Sequence, residues 1–181
     1  MRSFPRAAAK RGVLVGAMAA TLLSAGCGQA SPAVVAYVGD AEITQQQVET
    51  AVAAVSSTAE AGQTVSSEAV INAMIQGELS AQIARDRRIS ITDTDRERFL
   101  RTTNLAPLLT VPAAKPIVYD VADQALVAEK IGSAGYLAEI EKREVTLNPR
   151  YGVLEPKQKT IVTGQSGSLS QPGSPPTPQA P

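Results

Sequence analysis

Apolar residues recur at helical spacing through the middle of this chain. Val70, Ile71, Met74, Ile75, Leu79 and Ile83 fall three or four positions apart, the stripe of an amphipathic helix. They predict a helix over "SEAVINAMIQGELSAQIARDRR", capped by Ser66 or Ser67 and about 30 Å long at 1.5 Å per residue. Gly77 interrupts the stripe and implies a close contact with a neighbouring helix. Val48, Val52 and Val55 predict a shorter helix running to about Thr58. Thr44 opens it, with Gln47 three residues on, the pattern of a capping box. Thr92, followed by Asp93, Asp95 and Glu97, opens a third helix carrying Phe99 and Leu100; acidic residues suit a first helical turn. A fourth pattern starts at Asp120 with Val121, Ala125, Leu126, Ile131, Leu137 and Ile140, and Gly132 and Gly135 are places to split or kink it.

Two stretches have strand character instead. "AVVAYVGDAEIT" concentrates Val34, Val35, Tyr37 and Val38, all strand formers. Gly39-Asp40 fits a two-residue hairpin turn with Gly at its first central position, and Glu42-Ile43 returns. "EVTLNPRYGV" follows a hundred residues later. A lone strand leaves its backbone donors and acceptors unpaired, so the two ends of the folded region are expected to pair. Val35 and Tyr37 stand on one side and Val145, Leu147, Pro149 and Tyr151 on the other. Asn148-Pro149 ends the strand, since Pro cannot donate to a ladder. The predicted fold class is mainly α: a multi-helix domain with a small two- to three-stranded sheet, spanning residues 33–155.

"NLAPLLTVPAAKPIVYD" contains three prolines, which break helical continuity. Its Leu105, Leu108, Leu109 and Val111 place it on the core. Residues 156–181, rich in Pro, Ser, Gly and Gln, read as a disordered tail.

The N-terminus reads as a secretory signal. Arg2, Arg6, Lys10 and Arg11 precede an uncharged run of about fifteen residues, short of the roughly 20 that span a bilayer. It ends "LLSAGC", which resembles a bacterial lipobox, with Ser24 where Leu is commonest. The resemblance implies cleavage between Gly26 and Cys27, removal of residues 1–26, and acylation of Cys27. Alternatives are a plain cleaved signal with an incidental cysteine, or an uncleaved anchor. Residues 27–32 form a tether reaching at most about 20 Å.

Composition narrows the chemistry. The 181 residues include one Cys and no His, so there is no His-containing triad, His zinc site or His general base, and no intrachain disulfide. The full chain is formally neutral, and removing residues 1–26 leaves about −4, which does not favour nucleic acid. Charges segregate: residues 28–84 carry only acidic ones, and Arg85, Arg87, Arg88, Arg96, Arg98 and Arg101 then cluster. Solvated helix faces explain this, as does a basic face turned to anionic headgroups. "DTDRE" echoes a calcium loop, but Arg98 replaces the sixth-position glycine and Asn104 the closing glutamate. No metal, phosphate-cradling loop or cofactor is expected.

Three pieces together resemble the SurA N-terminal domain family of extracytoplasmic chaperones. They are "AVVAYVGDAEITQQQV", "INAMIQGELSAQIARDRRISITDTD" and "VTLNPRYGVLE", the last as in lipid-anchored actinobacterial members. They span most of Ala33 to Glu155. The turn departs from the family's Asn-Gly, and no parvulin domain follows. The resemblance implies a non-enzymatic module, anchored to the lipid bilayer through acylated Cys27, that cradles unfolded or secreted polypeptides. The alternative is a dedicated binding module for one envelope protein. A degenerate foldase with residual prolyl isomerase activity is a third reading.

Overall fold

The sheet forms where the sequence concentrates β-branched residues. In the computed structural model, which describes residues 33–58 and 65–162, β1 (Val34–Val38) lies between β2 (Ala41–Thr44) and β3 (Val145–Leu147). Both pairings are antiparallel. Gly39 turns the hairpin at φ +55°, a conformation glycine adopts without a Cβ penalty. On the other side, Ala36 faces Leu147, Tyr37 faces Thr146 and Val38 faces Val145. Gly39 N–H donates to Glu144 O and Asn148 N–H donates to Val35 O, extending the ladder one step each way. Val35, Ala36 and Val38 have no solvent exposure. β1 is thus covered on both faces, which is why it reads as a continuous apolar run rather than an alternating one.

Pro149 and Tyr151, expected in the pairing, lie outside it. They belong to a 3-10 turn, Pro149–Tyr151, begun by Asn148. Asn148 is buried, its Nδ2 donating to Val34 O at 3.1 Å and its Oδ1 accepting from Arg150 N–H. The amide therefore fastens the end of the ladder. Tyr151 instead brings its hydroxyl to Gln45 Oε1 at 3.4 Å.

Four of the five helices among the described residues follow the local signals closely. α1 (Gln45–Ser56) starts at a complete Thr44–Gln47 capping box. α2 (Ser67–Arg87) follows Ser66, whose side chain makes no cap bond, and stops at Arg88 in the left-handed conformation. Ile89 N–H then donates to Ala84 O at 2.8 Å, satisfying a carbonyl the helix end leaves open. α3 (Asp93–Leu100) starts at a second box, Thr92 with Asp95. Gly132, at φ +77°, separates α4 (Lys115–Ile131) from α5 (Ser133–Glu141).

α4 is the exception. It begins at Lys115, not Asp120, with Pro116 in its first turn, where the missing N–H costs nothing. Asp120 is thereby inside the helix. The segment before it forms two 3-10 turns, Ala106–Thr110 and Pro112–Ala114, and buries Leu108 and Ala114. α2 and α4 pack along their lengths, and Ile71, Ile75, Leu79 and Ile83 meet Val118, Ala122 and Val127 in one core with β1, Leu100 and Ile140.

The fold also extends beyond residue 155, correcting the boundary read from composition. β4 (Val153–Leu154) and β5 (Ile161–Val162) form a small antiparallel hairpin. Ile161 is buried and its N–H donates to Asn72 Oδ1 at 2.7 Å. Two apolar residues in a polar run carry no periodicity, so the segment looked like the tail. Residues 163–181 lie outside the described residues.

Candidate functional site

α4 forms the shared wall of two open grooves. The first lies between α4, α5 and the turn before β5. Val121, Ala125, Ala128, Leu137 and Ile140 line it, with Gln76 and Tyr136 at its base, and its volume is about 380 Å³. Leu137 is 48% exposed at this groove. Val153 and Val162, an opposed pair on the β4–β5 hairpin, are the other exposed large apolar residues among those described. Leu137 belongs to the apolar pattern after Asp120 and stands at the groove's edge on α5, which Gly132 separates from α4.

The base of this groove is a buried polar network. Ser80 has no solvent exposure. Its Oγ donates to Gln76 O at 2.6 Å and stands 2.7 Å from the Tyr136 hydroxyl. Gln76 Nε2 donates to Gln158 O at 2.9 Å and Lys159 O at 3.2 Å. Every member is partnered, as most buried polar groups are. The network ties α5 and the β4–β5 turn to α2. Burial pushes the Tyr136 phenol above its usual value, against the opposing pull of the Ser80 bond. A neutral tyrosine cannot activate the serine as a base, and Ser80 faces no solvent. The pair orients elements rather than reacting.

The second groove lies between α1, α4 and the Pro112–Ala114 turn. Its volume is about 350 Å³, and Met74, Ala113, Pro116 and Ile117 give it an apolar lining alongside Gln46, Gln47 and Thr50. Asp120 reaches into it from α4. Among the described residues the Asp120 carboxyl has no hydrogen-bond or ion-pair partner. It is pushed up to about 7, first by burial, then by Asp123 and Glu78, with Arg96 pulling the other way. In the sequence Asp120 reads as a helix opener, whereas α4 starts at Lys115. The signal that could have found it is its spacing, three residues after Ile117 on the buried side of α4.

Five of the six clustered arginines meet carboxylates among the described residues. Arg96 grips Asp123 with Nε at 2.7 Å and Nη2 at 3.0 Å and also reaches Asp93 at 2.8 Å. Arg87 pairs with Glu139, Arg98 with Asp95, Arg101 with Glu97 and Arg85 with Glu78. Asp93, Asp95 and Glu97 are therefore engaged in caps and ion pairs. Among the described residues no group of His, Cys, Asp and Glu is placed to hold a metal ion.

Gly26 and Cys27 lie outside the described residues. No described helix is long and apolar enough to cross a membrane. Val35 and Tyr37 on β1 and Val145 and Leu147 on β3 shape the sheet, away from both grooves. Set against family models, curated proteins and solved structures, the chain matches none.

Proposed function

We propose that this protein is a membrane-anchored extracytoplasmic lipoprotein whose helical domain holds unfolded or exported polypeptides, as a holdase-type chaperone or a helper in envelope assembly. The observation that carries this reading is the pair of open, apolar grooves flanking α4. Shallow apolar grooves suit extended segments, which bring side chains at intervals and need no enclosed cavity. The "LLSAGC" ending supports the anchor: acyl chains on Cys27 would supply roughly 0.8 kcal/mol per buried CH₂.

The purified protein is expected to suppress aggregation of a chemically unfolded secreted protein. No suppression at several-fold excess overturns the chaperone reading. Cys27→Ser is expected to release the protein from the membrane or to leave it unprocessed. Normal processing with unchanged attachment overturns the anchor.

A second reading, a dedicated module for one envelope protein, is favoured by a specific observation. Leu137, Val153 and Val162 are the only large apolar residues well exposed among those described, a small surface for a general holdase. Crosslinking in cells separates the two: one dominant partner supports the module, and a ladder of clients supports the chaperone.

A further inference from the structure

We propose that the groove between α1 and α4 is a subsite for a basic side chain, taking a Lys or Arg of a bound polypeptide with its alkyl stem on Met74, Pro116 and Ile117 and its cationic head on Asp120. The proposal deepens the polypeptide-holding reading and rests on it.

Two observations meet at this place. The groove is open and apolar-walled, so it accepts a side chain with a long hydrocarbon portion. At its inner end stands a carboxyl with no described partner. The carboxyl is not sealed in: the one fully buried side-chain polar atom without a partner among the described residues is Arg143 Nε, so the Asp120 oxygens, on the groove lining, are not fully buried. Lys and Arg have the matching anatomy, an apolar stem that lies along hydrophobic surface and a charged tip.

Charge complementarity selects the occupant. Glu78 on α2 and Asp123 on α4 add negative potential around Asp120, and among the described residues Arg96 on α3 is the one opposing charge acting on it. Arg96 is already engaged by Asp123 and Asp93. The groove lining from α1 and from the Pro112–Ala114 turn is uncharged: Gln46, Gln47, Thr50, Ala113. A second carboxylate entering here would meet repulsion. A cation would relieve the desolvated carboxylate and replace the water it loses with a charge-assisted bond.

The test compares two short apolar peptides, one with a central lysine and one with norleucine in its place, binding to the purified protein. Titrations run at pH about 8 and about 5.5, on either side of the Asp120 titration near 7. At the higher pH the lysine peptide is expected to bind about tenfold tighter than its twin, the size of one charge-assisted contact. The preference should shrink at the lower pH, where Asp120 is protonated. Asp120→Asn should bind both peptides alike. In the unaltered protein, saturating lysine peptide should lower the midpoint of the Asp120 carboxyl NMR titration by about one unit; this readout needs no variant to fold.

Binding of both peptides with equal affinity and an unmoved Asp120 titration overturns the proposal and leaves the polypeptide-holding reading intact. An equal shift by free butylamine, with no added affinity from the peptide, assigns the groove to a small amine and also overturns it. Binding of neither peptide overturns the proposal together with the reading beneath it.

Discussion

Gly77 on α2 lies directly against Asp120 on α4: a Cβ placed on Gly77 would stand 2.3 Å from the Asp120 Cβ and 2.5 Å from its Oδ1. The absent side chain lets α2 and α4 approach, and it leaves room for the carboxyl on the groove lining. Gly77→Ala sets two effects against each other. Alanine favours the helix by about 1 kcal/mol. The clash is with a short side chain near the backbone, which must move with its helix. Overpacking wins, and the variant is expected to lose about 2 kcal/mol or more, read as a lower urea midpoint. Equal or greater stability would mean that α2 and α4 are not so closely packed.

Asp120 also gives the fold a pH signature. Its carboxyl titrates near 7 when folded, against a usual value of 3.8. Between about pH 4 and 7 the folded state holds a proton that the unfolded chain has released. Stability from this group therefore falls as pH rises through that window and is level above it. Asp120→Asn should match the parent near pH 4 and exceed it near pH 8 by up to about 4 kcal/mol, at 1.36 kcal/mol per unit. Glu139, held down to about 2 by Arg87 and Lys142, has the opposite slope. Its contribution is lost as pH falls below about 4.5, in parent and variant alike. Thermal unfolding of both proteins across pH checks the difference.

Tyr136→Phe isolates the network beneath the first groove. The ring remains, and only the hydroxyl beside Ser80 Oγ and Gln76 Oε1 is lost. Ser80 keeps its bond to Gln76 O. The expected cost is about 1–2 kcal/mol. Hydrogen exchange should rise in α5 and in the β4–β5 turn, the two elements the network fastens, while α1 stays protected. A uniform change throughout the domain would argue against a local fastening role.

Ile161 tests where the domain stops. Its side chain is buried and packs on Gly152, where Ile161 Cγ2 lies 2.8 Å from the site of an added Cβ. Ile161→Ala should cost about 2 kcal/mol. A chain ending at Glu155 should lose more, because the carbonyls of Gln158 and Lys159 that accept from Gln76 go too. An undiminished melting temperature in that shortened chain would return residues 156–162 to the tail.

What the sequence determined by itself is what local chemistry dictates. Thr44–Gln47 and Thr92 before an acidic turn start helices because a side-chain oxygen three residues from the right N–H can bond nowhere better. Gly39 and Gly132 mark turns because the backbone there has positive φ. β1 was visible as a run of β-branched residues, and its pairing with residues 145–147 followed because a strand cannot stand alone. Tertiary structure decided what depends on distant partners. The Asn148 side-chain amide fastens the end of the ladder, because it reaches Val34 across 114 positions of sequence. Ile161 joins the core beside Asn72, which accepts from its N–H, while Gln76 holds the turn before it, contacts no local pattern announces. Asp120 became a groove carboxyl only because Pro116 lets α4 begin five residues earlier and Gly77 leaves it room. The sequence shows an aspartate near the start of a helix, but its burial, its charged neighbours and its want of a partner among the described residues are properties of the packed helices around it.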